Sequence, residues 1–422
     1  MDYRAPKGTT DVIPAQSYKW HYIESKIREV CALYGVREVR TPVFEYTELF
    51  LRGVGDTTDI VQKEMYTFED KGGRSITLKP EGTAGAARCF VERKLYNEAL
   101  PAKMYYLNSP TFRYENPQAG RYREHHQFGI EVFGAPQASC DAEIISLAWA
   151  VIQGLGVKKL TLHINSIGCP ECRPKFNEAL KSYFTAHVDE LCDTCKGRLE
   201  RNPLRILDCK SPVCKAIAEG APKCIDNLCP DCKAHMEQLE AYLTRLGIPY
   251  EIDPMIVRGL DYYTRTVFEI ISTDIGAQGT VCGGGRYDGL VEQVGGPAIA
   301  GIGFGMGMER LLLVMESLNL LPEEPVVTQV YVASLGEEAR GPAFGFCNEL
   351  RLAGVRADMD HVGRSLKAQF KFAGKIDAPF VAIVGGDELA NGQVKLRNMA
   401  TREEELLPLD TAATAIAARL AE

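Results

Sequence analysis

The chain has no long hydrophobic run. Its longest apolar stretches, such as Phe380–Gly386 and Leu311–Met315, fall far short of the ~20 residues a spanning helix needs, which excludes a membrane helix. There is no apolar core behind the charges of Met1-Asp-Tyr-Arg-Ala-Pro-Lys; no signal or transit peptide is expected, and the cytosol is the expected location. Low-complexity tracts and internal repeats are lacking too. With 45% apolar residues, that rules out disorder as the main state. Nor is there an excess of positive charge: the net charge is −8. Global charge therefore does not advertise nucleic acid, although local patches decide binding.

What is present is a globular composition over 422 residues, enough for two or three domains. Trp20, Ile23, Ile27, Cys31 and Tyr34 recur at helical steps over 17–34, and Gly35 is placed to stop that helix. Val36–Val43 then reads as a strand closed near Pro42. At 76–92 a strand meets Pro80-Glu-Gly-Thr83 and a small-residue helix. Lys103–Tyr114 and Arg121–Phe133 read as an antiparallel hairpin around Asn116-Pro-Gln-Ala-Gly120. A helix at 140–156 and a strand at Leu160–Ile164 follow. Residues 169–235 change character, being rich in cysteine, charge and proline, and read as an insertion. A helix over 234–246 and strands at Tyr250–Ile252 and Val267–Ile271 come next. A linker by composition runs from Leu320. Beyond it Gln329–Ala333, 338–353, Arg356–Met359, 365–373 and Phe380–Val384 alternate strand and helix, a small α/β domain. The expected domains are 1–325 and 326–422.

Four constellations carry chemistry. Arg113 and Glu115 are two apart, hence on one face of a strand. Arg121, Arg123, His125, Gln127, Gly129 and Glu131 share a face of the return strand by the same alternation. An arginine fork suits phosphate, and a carboxylate accepts from an exocyclic amine. The second constellation is Ile302-Gly-Phe-Gly-Met-Gly-Met-Glu-Arg310. Its alternating glycines strip one strand face of side chains, so a flat or phosphorylated ligand can approach the backbone. A helix is expected from Met308, with Arg310 in its first turn. The spacing does not fit a dinucleotide fingerprint, and no acid stands where a ribose would need one. Arg258-Gly-Leu-Asp-Tyr-Tyr-Thr-Arg-Thr-Val-Phe-Glu269 and Gly279-Thr-Val-Cys-Gly-Gly-Gly-Arg-Tyr-Asp-Gly289 complete the set.

Together these motifs resemble those of a known family. Phe112-Arg-Tyr-Glu115 and Gly305-Met-Gly-Met-Glu-Arg310 are similar to motifs 2 and 3 of class II aminoacyl-tRNA synthetases, and the first helix with the Pro42 strand to motif 1, a dimer element. The segments at 258–263 and 282–288 resemble the two signatures private to the histidyl members, and so does Ala5-Pro-Lys-Gly-Thr-Thr-Asp11. The similarity spans essentially the whole chain. It implies an α+β catalytic domain, an antiparallel sheet flanked by helices, with a helical cysteine-rich insertion and a C-terminal α/β anticodon-binding domain. It also implies ATP-dependent attachment of L-histidine to tRNA(His) through a histidyl-adenylate, with Mg²⁺ on the phosphates, in a cytoplasmic homodimer.

Carried onto this sequence, the resemblance assigns Arg113 and Arg258 to the α-phosphate as catalytic residues. Glu115 goes to the adenine amine, Arg310 to adenine and the γ-phosphate, and Arg121 to phosphate. Glu81 and Thr83 go to the α-amino group of histidine, with Gln127 nearby. Glu131 and Tyr263 bracket the imidazole, and Tyr287 lines its pocket. Position 125 usually carries an aromatic carbocycle that packs on adenine; here it is His125, an imidazole with a titratable charge. Two rivals stand beside this reading. A non-enzymatic paralogue that assists ATP phosphoribosyltransferase typically lacks the histidyl signatures and the C-terminal domain. Another class II synthetase would not be expected to carry Arg258-Gly-Leu-Asp-Tyr-Tyr263.

In the C-terminal domain Arg364, Lys367, Lys371 and Lys375 follow at steps of three, four and four without an intervening acid. They read as one helix face suited to an RNA backbone, or as a solvated face. Of 14 cysteines, eight form close pairs: Cys169/Cys172, Cys192/Cys195, Cys209/Cys214 and Cys229/Cys232. Three of these pairs are CxxC, and two CxxC pairs complete a tetrahedral Zn²⁺ site; the alternative is free thiols, and spacing does not say which pairs combine.

Overall fold

A computed structural model describes residues 3–55, 58, 60–118, 120–209, 211–272 and 279–421. Ala119, in the hairpin turn read above, lies outside them. The chain divides into two compact units, Met1–Pro322 and Glu323–Glu422.

The first unit is built on an eight-stranded sheet with a satellite of three strands. Its strands in chain order are β1 (Arg37–Glu38), β2 (Phe44–Tyr46), β3 (Tyr66–Glu69), β4 (Ser75–Leu78), β5 (Ala102–Phe112), β6 (Glu124–Phe133), β7 (Leu160–Ser166), β8 (Tyr250–Ile252), β9 (Thr264–Ser272), β10 (Thr280–Arg286) and β11 (Gly301–Gly307). The large sheet runs β1-β5-β6-β11-β10-β9-β7-β8, and β2-β4-β3 form the satellite. The large sheet is antiparallel through its centre and parallel only at its edges, β1 with β5 and β7 with β8.

The first helix, Pro14–Leu33, starts on a proline at its first turn and buries Ile23, Ile27 and Cys31 four residues apart. Gly35 ends it at φ 68°, a backbone conformation that an L side chain resists. The expected strand at 36–43 shrinks to β1. Beyond it Val39 N–H still reaches the sheet, donating to Tyr105 O at 2.7 Å, before Pro42 removes a donor. On β6, Phe128, Ile130 and Val132 join one core with Ile23, Ile27, Leu147 and Leu311 from the helices behind the sheet. The odd residues of β6 point the other way.

A buried ion cluster ties sheet to helices. Arg286 Nε donates to Asp141 Oδ1 at 2.8 Å, and His235 Nε2 lies 2.8 Å from Asp141 Oδ2. Arg286 Nη2 also donates to Ala135 O at 2.8 Å. The neighbouring Tyr287 is thereby fixed. The insertion holds the helices Cys172–Thr185, Asp193–Arg201 and Pro212–Glu219 and leads into Pro230–Leu246.

The second unit is a five-stranded sheet of β12 (Val330–Leu335), β13 (Ala357–Met359), β14 (Phe380–Gly385), β15 (Gln393–Asn398) and β16 (Glu404–Pro408), in the order β13-β12-β14-β15-β16. The first three are parallel and the last two antiparallel. The helices Arg340–Leu352 and Leu409–Ala421 bury Phe346, Leu350, Ala412 and Ile416 against Val330, Val332 and Val384.

Candidate active site

The strands β5, β6, β11 and β10 lie side by side, and their register sets the site. Gly303, Gly305 and Gly307 of β11 stand opposite Glu131, Gly129 and Gln127 of β6. On its other side β11 pairs Gly305 with Gly283 and Gly303 with Gly285. Glycine facing glycine leaves a floor of bare backbone. A cavity of ≈ 870 Å³ opens above it, lined by Arg113, Glu115, Arg121, His125, Gln127, Arg258, Arg310, Asp208, Glu269, Thr280, Gly283, Gly305 and Gly307.

Four arginines therefore converge on one space. Arg113 Nε donates to Pro80 O at 2.8 Å, and Arg310 Nη1 to Thr280 O at 2.8 Å. Arg121 pairs with Glu115. Arg258 pairs with Glu269, whose second oxygen accepts from Thr280 Oγ1 at 3.1 Å. Two buried polar atoms of this wall, Arg258 Nε and Gln127 Oε1, have no partner among the described residues. Buried polar atoms are rarely left so outside ligand sites. The pocket also settles the state of His125. Burial, and then Arg113, His126, Arg121 and Arg310, push its pKa down to about 3. The charge this ring could carry is absent at neutral pH, because burial disfavours it and a further cation among the arginines is unfavourable.

A second, closed group lies along the same strands. Two residues apart on β10, Gly283 sits under the Arg258 guanidinium and Gly285 has the Tyr263 ring 3.0 Å from where its Cβ would be. The two stations are thus only about 7 Å apart. Glu131, four residues beyond Gln127, is fully buried. Its Oε1 accepts from Thr83 Oγ1 at 2.7 Å and Tyr106 OH at 3.1 Å, and its Oε2 from Tyr287 OH. Burial pushes the Glu131 carboxyl up to about 8 even though all three hydroxyls favour the charged form. A Cβ at Gly303 would collide with this carboxylate and lie 2.9 Å from Tyr287 OH. Glu81 caps the helix Thr83–Glu92: its carboxylate accepts from Thr83 N–H at 2.7 Å and Ala84 N–H at 2.8 Å. Burial raises its pKa while those N–H groups hold it back.

The structure separates the expected residues into these two groups. Arg113, Glu115, Arg121, His125, Gln127, Arg258 and Arg310 line the open cavity. Glu81, Thr83, Glu131, Tyr263 and Tyr287 are buried beside it. Arg123 does not join them. The β6 ladder begins only at Glu124; one residue earlier, Arg123 lies over the Tyr114 ring at 4.0 Å and donates from Nε to Glu115 O at 3.0 Å. Tyr106, Asp208 and Glu269 went unassigned in the sequence. Tyr106 stands opposite Gly129, where a Cβ would collide with the Tyr106 ring; a buried tyrosine facing glycine across a hairpin is its signal. Glu269 closes the very segment that Arg258 opens.

In the second unit the helix is Leu366–Lys375, so Arg364 lies before it. Arg364 Nη1 donates to Asp360 Oδ1 at 2.7 Å and its guanidinium covers Phe372 at 4.5 Å. The expected stripe reduces to Lys367, Lys371 and Lys375, all exposed. Among the described residues no helix is long and apolar enough to cross a membrane.

The arrangement suits a polyphosphate on the arginines, a flat base on the glycine floor, and a small ring bearing N–H groups at Glu131. Comparison with known proteins gives the family. The family model described as histidyl-tRNA synthetase matches residues 8–172 and 176–311, and that described as anticodon binding domain matches 329–419. A protein of Caldanaerobacter subterraneus subsp. tengcongensis named histidine–tRNA ligase is 55% identical, over 98% of this chain and 99% of its own. One of Clostridioides difficile with the same name is 53% identical over 97% of each chain. The crystal structure of apo S. aureus histidyl-tRNA synthetase superposes with a TM-score of 0.84 at 39% identity, covering 99% of this chain and 100% of the other. The chain belongs to the histidyl-tRNA synthetase family.

Proposed function

We propose that this chain joins L-histidine to tRNA(His) at the expense of ATP, in two steps. The histidine carboxylate attacks the α-phosphorus of ATP; the new C–O–P linkage forms as the bond to pyrophosphate breaks. The 3′-terminal ribose hydroxyl of the tRNA then takes the histidyl group, and AMP leaves. No side chain becomes covalently bound. The observation that carries this reading is a buried acid ringed by hydroxyls, Glu131 with Thr83, Tyr106 and Tyr287, about one strand repeat from an arginine-walled cavity.

In this reading Arg113 and Arg258 hold the α-phosphate from two sides and stabilise the charge that builds there. A phosphate would draw Arg258 away from Glu269 and Arg121 away from Glu115. Arg310 lies on adenine and reaches the γ-phosphate, Glu115 accepts from the adenine amine, and neutral His125 packs on the base. Glu81 and Thr83 take the α-amino group with Gln127 beside them. Glu131 and Tyr263 bracket the imidazole, and Tyr287 walls it. Positioning and fixed positive charge supply most of the catalysis.

Class II synthetases use ATP with Mg²⁺. Asp208 and Glu269 are acids on the cavity wall beside the arginines; with Arg258 drawn onto phosphate, they would hold such a hard cation together with phosphate oxygens. There the ion would neutralise phosphate charge. In the second unit Lys367 and Lys371 go to the RNA backbone, and Arg364 contributes through its free edge. The same reading places structural zinc in the cysteine-rich insertion.

We also read the molecule as a homodimer in the cytosol. Phe44 and Tyr46 of β2 stand opposite Leu78 and Ile76, and Phe68 of β3 stands opposite Ile76. The three aromatics therefore share one face, and they are 54%, 53% and 49% exposed. A second copy covering that face is what such a patch needs. Fourteen unpaired cysteines fit a reducing compartment.

The test is ATP–pyrophosphate exchange with each of the twenty amino acids, followed by charging of tRNA(His). Exchange with histidine alone is expected. Exchange with another amino acid would overturn the substrate. No exchange from folded protein would favour the regulatory reading, whose fold the chain also matches at 23% identity.

A further inference from the structure

Residues 169–232 hold nine cysteines. In the folded chain eight of them gather into two groups of four. The sulfurs of Cys169, Cys172, Cys229 and Cys232 all lie within 4.8 Å of one another, and so do those of Cys192, Cys195, Cys209 and Cys214. The separations Cys169–Cys172, Cys169–Cys229 and Cys192–Cys209 are 3.7, 3.8 and 3.8 Å. A disulfide needs about 2.05 Å. A tetrahedron of sulfurs around zinc, with Zn–S bonds of about 2.3 Å, has edges of about 3.8 Å.

The backbone around the sulfurs fits anions as well. Cys229 N–H donates to Cys172 Sγ at 3.1 Å, Cys192 N–H to Cys214 Sγ at 3.3 Å, and Ser211 N–H to Cys209 Sγ at 3.5 Å. Hydrogen bonds of this kind favour thiolate over thiol. The ninth cysteine, Cys224, is buried but belongs to neither group.

We propose that each group binds one zinc ion through four thiolates, two ions per chain, and that the two sites together hold the loop that carries Arg258 and Tyr263. Each site forms as four S–H groups release four protons and four Zn–S bonds are made; no oxidant or reductant is involved. The pairing is nested. The first and last cysteine pairs form one site, which clamps the start of the helix Cys172–Thr185 to the start of Pro230–Leu246. The two middle pairs form the other, inside the first.

The link to the loop runs through residues beside the ligands. Next to Cys172, Arg173 donates to the Tyr263 carbonyl. Just before Cys169, Gly168 O accepts from Arg265 N–H at 2.9 Å. Within the inner site's own span, Asn202 Nδ2 donates to Asp261 Oδ1 at 3.0 Å and Arg205 Nη1 to Arg258 O at 2.9 Å. The loop is thus gripped at 258, 261, 263 and 265. The inner helices Asp193–Arg201 and Pro212–Glu219 have only nine and eight residues. Helices so short are marginal by themselves, and a metal would supply the missing stability.

The stoichiometry stands whatever the enzyme does; the effect on the loop rests on the reading given above. The experiment measures both on the full chain, purified without chelator. Elemental analysis should give two zinc per chain, and a mercurial that titrates eight thiols should release both ions. Cobalt(II) exchanged into the protein should show the charge-transfer and ligand-field bands of tetrahedral thiolate sites. The double variants C192S/C209S and C169S/C229S should each lose one ion. Loss of the inner ion should lower kcat for pyrophosphate exchange at least tenfold, with a smaller change in the KM for histidine. Arg205→Ala should act in the same direction and Arg205→Lys less so, marking Arg205 as a positioning residue.

Fewer than two ions, disulfides among these cysteines in the native protein, or a zinc count of two that survives both double variants would overturn the sites. Unchanged kcat after loss of the inner ion would overturn its hold on the loop. Wild-type protein with two zinc ions and no exchange would instead sink the histidine-activation reading while leaving the metal sites standing.

Discussion

Glu131→Gln tests the buried pocket from two directions. Glu131 collects three hydroxyl donors, Thr83 at 2.7 Å, Tyr106 at 3.1 Å and Tyr287. Glutamine keeps the shape but replaces one acceptor oxygen by an NH₂, so one hydroxyl must turn or lose its partner. It also removes the carboxylate that a bound imidazole N–H would meet, because a donor placed there favours the ionised form. A hydrogen bond to a charged group is worth about 1.5–3 kcal/mol, or roughly 10- to 150-fold in affinity. The KM for histidine in ATP–pyrophosphate exchange should rise by that factor, with the KM for ATP within threefold of wild type. Stability should move the other way. The Glu131 pKa is raised from the ordinary carboxylate value to about 8. A group raised on folding contributes most below its unfolded pKa, and that contribution is lost as pH rises through the folded pKa. Wild type should therefore lose stability between about pH 4.5 and 8 through this group, and the glutamine variant should not. Thermal melts should place the variant above wild type at pH 8.5 by more than at pH 5.5. A histidine KM within twofold of wild type, or equal shifts in both KM values, would refute the pocket assignment; equal melting differences at the two pH values would refute the buried charge.

Arg258→Ala removes one of two cations placed on the α-phosphate and should lower kcat for exchange by about 10²–10³-fold, while a filter-binding assay finds tRNA affinity within threefold; near-normal exchange would take Arg258 out of the mechanism. His125 is neutral down to about pH 3, so its NMR signals should not titrate between pH 5 and 8. His125→Phe should leave the pH profile of the ATP KM unchanged over that range; a wild-type inflection near pH 6.5 that disappears in the variant would contradict this. Lys367→Ala with Lys371→Ala should weaken tRNA binding and reduce the slope of log K against log salt by up to about two, leaving pyrophosphate exchange as it was; an unaltered slope would make these lysines a solvated face.

Much of the site is legible because strand alternation is strict. Once His125, Gln127 and Glu131 sit on one β-strand, their odd numbers place them together and send Phe128, Ile130 and Val132 into the core. The same rule fails where the ladder ends. Arg123 is odd too, but it precedes β6 and turns onto Tyr114. Arg364 fails likewise: its spacing suits a helix, yet Asp360 holds it outside the first turn. The strands β15 and β16 and the final helix, Leu409–Ala421, were not read. Their short runs gain stability chiefly by packing on the rest of their sheet.

Local chemistry along the chain, then, determined most of the elements, the glycine floor, the cations and acids available to the site, and four close cysteine pairs, three of them CxxC. Only the tertiary structure decided which of these meet. It brought Tyr106 to Glu131 and Glu269 to Arg258, silenced the charge of His125 by burying it among arginines, and joined the first cysteine pair to the last. Those outcomes depend on contacts between residues far apart in the chain, and on the low dielectric that burial creates around them. Neither is a property of any local stretch of sequence.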